Sequence, residues 1–152
     1  SIRPLHFRRE QAMALTAQDR IELHEIMARY ANAVDVDGRE EDLQEIFIAN
    51  ALLDSPMSGK FSGAEGLRQF GRAVAGLRAG RIGRHLITNV RVHGDGSRAQ
   101  IKAYYIHMST PAREMEGERR TEVTNGGCYD CTAVKIDGRW WLERRTVSVD
   151  SK

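Results

Sequence analysis

The second half of the chain alternates polar and apolar residues in segments separated by strong turn signals, and this pattern restricts the possible folds most. Gly94-Asp95-Gly96 and Asp137-Gly138 are typical of hairpin turns. The segments between the turns have the period of two residues that β-strands show. We therefore predict an antiparallel sheet whose neighbouring strands follow one another along the chain. The predicted strands are His85–His93, Ala99–Met108, Thr121–Ile136 (bent at Gly126-Gly127) and Arg139–Val149.

The first half has helical periodicity instead. Apolar residues recur at steps of three and four between Ile21 and Val34, which is the spacing of one helix face. Thr16 and Asp19 are typical of a helix start, so we predict a first helix that ends at about Asp35. The other predicted elements are a helix Glu40–Ile48, a strand Ala51–Ser55, a turn with a brief strand at Met57–Phe61, a helix Ala64–Ala79 and a charged hairpin loop Ser109–Arg120.

Helices that are followed by a run of hairpin-connected strands predict an α+β fold, in which the helices cover one face of a curved sheet. The length of 152 residues is ordinary for one domain with its own core. We predict a single domain from residue 15 to residue 152, preceded by an N-terminal arm at residues 1–14.

Strand alternation also predicts a cavity between the helices and the sheet. The face expected to point toward the helices carries small residues followed by a tyrosine and a histidine, which would leave space bordered by polar groups. The first helix ends with Tyr30 and Asp35 near the same space. Periodicity alone does not decide which face of the His85 strand points inward. The inward residues of the next strand are Ala99, Ile101, Ala103, Tyr105 and His107, and in the strand after it Asn125, Gly127, Tyr129 and Cys131 share one face.

Charge and composition argue against several functional classes. A net charge of +2 with interspersed signs gives no reason to expect nucleic acid as a partner. The apolar runs are far too short to span a membrane, and no signal-peptide pattern opens the chain, so we expect a cytoplasmic protein without membrane contact. Neither a glycine-rich phosphate loop nor a cluster of metal ligands is visible, so no cofactor and no metal is expected.

The spacing of Cys128 and Cys131 is that of a redox or zinc pair. Residues three apart on a strand face opposite sides of the sheet, however. We interpret both cysteines as structural thiols.

Five segments, in order along the chain, carry a family resemblance. They are Arg29–Phe47, Gly63–Phe70, His85–Val90, Asn125–Tyr129 and Asp137–Asp150. Together they resemble the SnoaL-like group of the nuclear transport factor 2-like superfamily, over about residues 16 to 150. This resemblance implies a cone-like curved antiparallel sheet (an α+β barrel) with N-terminal helices closing a deep apolar pocket. It also implies a homo-oligomer, either a dimer or a trimer.

Within the superfamily, the segments look most like scytalone dehydratase and the bile-acid dehydratases. Those enzymes use a tyrosine of the first helix, an aspartate just after it and a strand histidine. The corresponding residues are Tyr30, Asp35 and His85. The resemblance also implies that His85 and Asn89 both point into the pocket.

The rest of the expected site departs from scytalone dehydratase. His107 lies two residues from the place of a second pocket histidine, and Gly127 and Tyr129 stand where a serine and an asparagine are expected. Scytalone itself is therefore not the expected substrate. The residues predicted to bind the substrate are Asn89, Tyr105, His107, Asn125 and Tyr129.

These expectations predict a cofactor-independent lyase that removes a proton next to a carbonyl of a small apolar cyclic or aromatic molecule. His85 would be the base and Asp35 would fix its tautomer. Tyr30, with Tyr105 or Tyr129, would donate to the enolate oxygen. Two alternatives stay open: an isomerase with the same enolate chemistry, and a non-catalytic ligand-binding or assembly subunit like the small subunits of ring-hydroxylating dioxygenases. The lyase hypothesis requires Asp35 and His85 within hydrogen-bond distance and Tyr30 at the same cavity.

Overall fold

A computed structural model describes residues 14–36, 39–112 and 120–150. Three helices precede or interrupt the first strands, and four long strands follow. The elements are α1 Ala17–Asp35, α2 Glu40–Gln44, β1 Phe47–Ser55, β2 Gly59–Ser62, α3 Gly63–Leu77, β3 Arg81–Gly94, β4 Arg98–Pro111, β5 Glu122–Ile136 and β6 Arg139–Val149.

Helix α1 begins and ends as predicted, and a local signal fixes its start. Thr16 caps the helix, and its side chain and backbone exchange hydrogen bonds with Asp19 in a capping box. The predicted apolar stripe is buried, with Leu23 and Met27 at 0% and 1% exposure. Exposed Ile21 is the exception, at 61%.

All six strands form one sheet in the order β2-β1-β6-β5-β4-β3. The three hairpin pairings of β3 through β6 are antiparallel, as predicted, but β1 runs parallel to β6. Among the described residues the edge strands β2 and β3 do not pair with each other, so the curved sheet is open rather than a closed barrel. The α+β fold class is confirmed. The helices cover one face of this sheet: α1 packs on β3 and β6, and α3 packs on β1 and β2.

Strand pairing explains two of the predicted boundaries that were wrong. The predicted helix Glu40–Ile48 stops at Gln44, since Phe47 is already paired with Leu142 of β6. The predicted hairpin loop begins as a strand, because Ser109 pairs with Gly83 and Pro111 with Arg81. Residues 113–119 of that loop lie outside the described residues.

The N-terminal arm lies outside the described residues except for Ala14, which forms an isolated bridge with Asp95. Leu15, the next residue, is already part of the hydrophobic core. Of the helices within the described ranges, none has both the length and the apolar character needed to cross a membrane.

Candidate functional site

A cavity of about 300 Å³ lies between the helices and the inner face of the sheet. Strand register explains why polar side chains meet there: His85 of β3 pairs with His107 of β4, which pairs with Asn125 of β5. The three residues therefore stand side by side on neighbouring strands. The polar and aromatic residues that line the cavity include Tyr30, Phe70, Arg78, His85, Tyr105, His107, Asn125, Tyr129 and Arg145.

The end of α1 delivers Asp35 directly to His85. Nδ1 of His85 lies 2.7 Å from Oδ1 of Asp35, and the backbone N–H of His85 donates to the same carboxylate at 3.0 Å. An ionised carboxylate can only accept, so the ring nitrogen Nδ1 carries a proton, and in the neutral imidazole it is Nε2 that has the lone pair. The imidazole thus has the tautomer that a general base requires.

Asp35 is ionised although its side chain is only 8% exposed. Burial acts to raise its pKa, but the hydrogen bonds from the ring and the backbone of His85 outweigh burial and lower the pKa below its ordinary value. Arg78 adds to this effect, with Nη2 4.0 Å from Oδ1 of Asp35. Arg78 is itself buried and was not among the predicted site residues.

His107 lies against His85, with 4.6 Å between the ring centroids. Thr124 donates its hydroxyl proton to the backbone oxygen of His107, and the same hydroxyl contacts Nδ1 of the His107 ring. Because that hydroxyl has one proton, it accepts from Nδ1–H, which leaves a lone pair on Nε2 of His107. Burial and the neighbouring His85 lower the pKa of His107 to about 4. His107 is therefore a neutral hydrogen-bond acceptor near pH 7.

Three tyrosines form a continuous aromatic row beside the two histidines. The ring of Tyr30 meets that of Tyr129 at 5.6 Å, Tyr129 meets Tyr105 at 4.8 Å, and Tyr105 meets His85 at 6.3 Å. Burial raises the pKa of all three phenols, so each keeps its proton and can donate a hydrogen bond.

The predicted geometry of Tyr30, Asp35 and His85 is therefore present, and Tyr105, His107, Asn125 and Tyr129 line the same cavity. Asn89 does not. A register shift between Thr88 and Arg91 inserts an extra residue into β3, and Asn89 adopts a φ of +53° there. Its side chain is exposed and accepts a hydrogen bond from Thr88. The placement of Asn89 toward the pocket was wrong because the bulge reverses the alternation.

Arg145 lines the cavity and was missed as a site residue. It is 3% exposed, and its guanidinium lies over the rings of Tyr30 and Phe70, at 5.5 and 5.0 Å from their centroids. Alternation that starts from buried Trp140 and Leu142 predicts Arg144 as the inward residue. A register shift opposite Thr132 and Ala133 of β5 turns Arg145 inward instead. Val147 also points inward, and counting back from it by two residues along the strand predicts that Arg145 points inward as well.

Cys128 and Cys131 are both free thiols. Burial raises the pKa of Cys131 to about 12, so its thiol stays protonated. In the part of the chain that the structure describes, no three His, Cys, Asp or Glu side chains are grouped so as to hold a metal ion.

Comparison with known proteins places this site in a family context. The family described as the SnoaL-like domain matches residues 15–146. No curated protein matches the sequence. A protein of unknown function with a cystatin-like fold from Nostoc punctiforme is 28% identical, with a TM-score of 0.75 over 92% of this chain and 97% of that one.

Two structures of lower identity share the fold. A candidate scytalone dehydratase from Novosphingobium aromaticivorans is 17% identical, with a TM-score of 0.71 over 88% of this chain and 85% of the other. LinA is 16% identical, with a TM-score of 0.72 over 88% of this chain and 87% of the other.

Proposed function

Because the chain belongs to the SnoaL-like domain family, we propose that it is a cofactor-independent lyase that eliminates a small leaving group next to a carbonyl. The observation that carries this proposal is the Asp35–His85 pair at the edge of an apolar, tyrosine-lined cavity. A general base, an orienting carboxylate and neutral donors for an enolate oxygen are the groups that such an elimination requires.

In the proposed reaction, Nε2 of His85 removes the proton α to the carbonyl of the substrate. The positive charge that forms on the imidazole is stabilised by Asp35, 2.7 Å from Nδ1. The electron pair of the broken C–H bond moves onto the carbonyl oxygen, where a phenol such as that of Tyr105 donates a hydrogen bond. The enolate then expels a hydroxyl group from the β-carbon, and that group leaves as water with the proton from His85.

A cyclic β-hydroxyketone tests this mechanism directly. Loss of water from 3-hydroxy-1-tetralone gives 1-naphthol, whose fluorescence reports the rate. We expect the wild-type protein to accelerate this reaction and the His85→Gln variant to lose about 10²- to 10⁴-fold of the acceleration. Asn89→Ala is the matched control, because Asn89 lies outside the cavity and its loss leaves the rate unchanged. Full activity of His85→Gln overturns the assignment of the base.

The same assay, followed by NMR in heavy water, separates the lyase from the isomerase alternative. A lyase loses water, whereas an isomerase returns a proton at another carbon without changing the composition of its substrate. Absence of both elimination and α-deuterium exchange across a panel of cyclic ketones favours the non-catalytic alternative.

The outer face of the sheet supports the expected homo-oligomer, which stays a prediction. Leu86 pairs with Ile106 on β3 and β4, and each is 43% exposed. Tyr104, two residues before Ile106, is 57% exposed. An exposed apolar strip of this kind on a sheet is typical of protein–protein contact surfaces.

A further inference from the structure

Arg145 is a permanent charge that is buried without a compensating anion in the described part of the chain. Its guanidinium does not lose its proton in proteins, and only 3% of the residue is exposed. No carboxylate among the described residues forms an ion pair with it, whereas buried Arg78 lies beside Asp35. A buried charge without a partner is strongly destabilising, so a protein that keeps one has a use for it.

The contacts of Arg145 leave the two nitrogens of one edge of its guanidinium without a hydrogen-bond partner among the described residues. The rings of Tyr30 and Phe70 lie over the guanidinium and provide cation–π contacts, which do not use the N–H groups. Nε and Nη2 are both buried and have no hydrogen-bond partner within the described parts of the chain. These two nitrogens form one side of the planar fork, and their N–H groups point in parallel. This spacing matches the two oxygens of a carboxylate.

Arg145 and His85 approach the cavity from different strands, with the three tyrosines between them. Arg145 contacts Tyr30, which leads through Tyr129 and Tyr105 to His85. A ligand that lies along this row would place one end at the guanidinium and the other at the histidines. The aromatic lining and the volume of about 300 Å³ suit a molecule of one or two rings.

We propose that Arg145 binds a carboxylate of the substrate through Nε and Nη2, so that the substrate is a cyclic or aromatic acid of one or two rings. The carboxylate end lies at Arg145 and the reacting carbon at His85. The position of the reacting carbon rests on the proposed lyase function, but carboxylate binding does not.

Isothermal titration with a matched pair of probes tests the proposal on the full chain. The probes are 2-naphthoate and 2-naphthamide, which have the same shape and differ in charge. We expect wild type to bind 2-naphthoate at least about tenfold more tightly than 2-naphthamide, as for a hydrogen bond to a charged group. Arg145→Met should bind both probes equally. Equal binding of both probes by wild type, or binding of neither, overturns the proposal.

Three further variants make the result specific. Arg144→Met removes the same charge from the exposed neighbour and should keep the preference for naphthoate. Arg145→Lys keeps the positive charge but loses the planar pair of N–H groups, so it should retain only part of the preference for naphthoate. The same variant tests the proposal if Arg145→Met does not fold. His85→Gln should keep the full preference, because it affects the chemistry and not the carboxylate. Loss of the preference in Arg144→Met, or its survival in Arg145→Met, contradicts the proposal.

Discussion

His85 donates twice to one carboxylate, because its ring Nδ1 and its backbone N–H both lie within 3.0 Å of oxygens of Asp35. The backbone bond ties the end of α1 to β3, and the ring bond fixes which imidazole nitrogen carries the proton. Asp35 thus positions the strand and selects the tautomer of His85, so the charge and the shape of Asp35 can be tested separately.

Asp35→Asn should keep the fold and lose most of the activity. The amide oxygen can still accept from the backbone N–H of His85, but the amide NH₂ favours the tautomer with the proton on Nε2. His85 then has no lone pair toward the substrate, and we expect elimination from 3-hydroxy-1-tetralone to slow by about 10²- to 10⁴-fold. Asp54→Asn, a partly exposed carboxylate beside Lys60, is the control. Unchanged activity of Asp35→Asn would show that the tautomer is not important.

The stability of the protein should depend on pH through His107. Its pKa is about 4 in the folded protein against 6.5 ordinarily, so the unfolded chain binds more protons between these values. The stabilisation is complete above pH 6.5 and is lost as the pH falls toward 4. Asp35, whose pKa is lowered, loses its contribution only below its ordinary value of 3.8. The two residues therefore act in separate pH windows.

Urea unfolding at several pH values measures this effect. The shift of the pKa, discounted because His107 is only half-buried, corresponds to about 1–2 kcal/mol between pH 6.5 and 4. His107→Gln should flatten the curve in this window, while His24→Gln, on the exposed side of α1, should leave it unchanged. An equally steep curve for His107→Gln contradicts the assignment.

Much of the fold follows from local patterns. The period of three to four predicts α1 because its stripe faces the core from Leu23 to Val34, and Thr16 and Asp19 mark the start of the helix. The turn at Asp137-Gly138 predicts the last hairpin, since Asp137 and Gly138 both have positive φ there. These features depend on residues close in sequence, so one sequence is enough to predict them.

The site is predictable only where alternation is unbroken. Tyr105 and His107 follow the regular part of β4, and both line the cavity as expected. Asn89 lies within a bulge and Arg145 lies just beyond one, and a bulge reverses the face of every later residue. A bulge depends on pairing with a neighbouring strand, as does the parallel pairing of β1 with β6. Neither leaves a periodic signal in the chain.

Asp19 should be the most important charged residue for stability outside the cavity. Its carboxylate accepts from Lys135 at 2.7 Å, from Trp140 at 2.9 Å and from the backbone N–H of Thr16 at 2.9 Å, which together hold its pKa well below the usual range. Asp19→Ala removes the capping box and leaves the buried indole N–H unpaired. We expect chemical denaturation to show a loss of about 3–5 kcal/mol. Glu25→Ala, exposed on the same helix, should change stability by less than about 0.5 kcal/mol. A similarly small change for Asp19→Ala would mean that this buried network is not needed for folding.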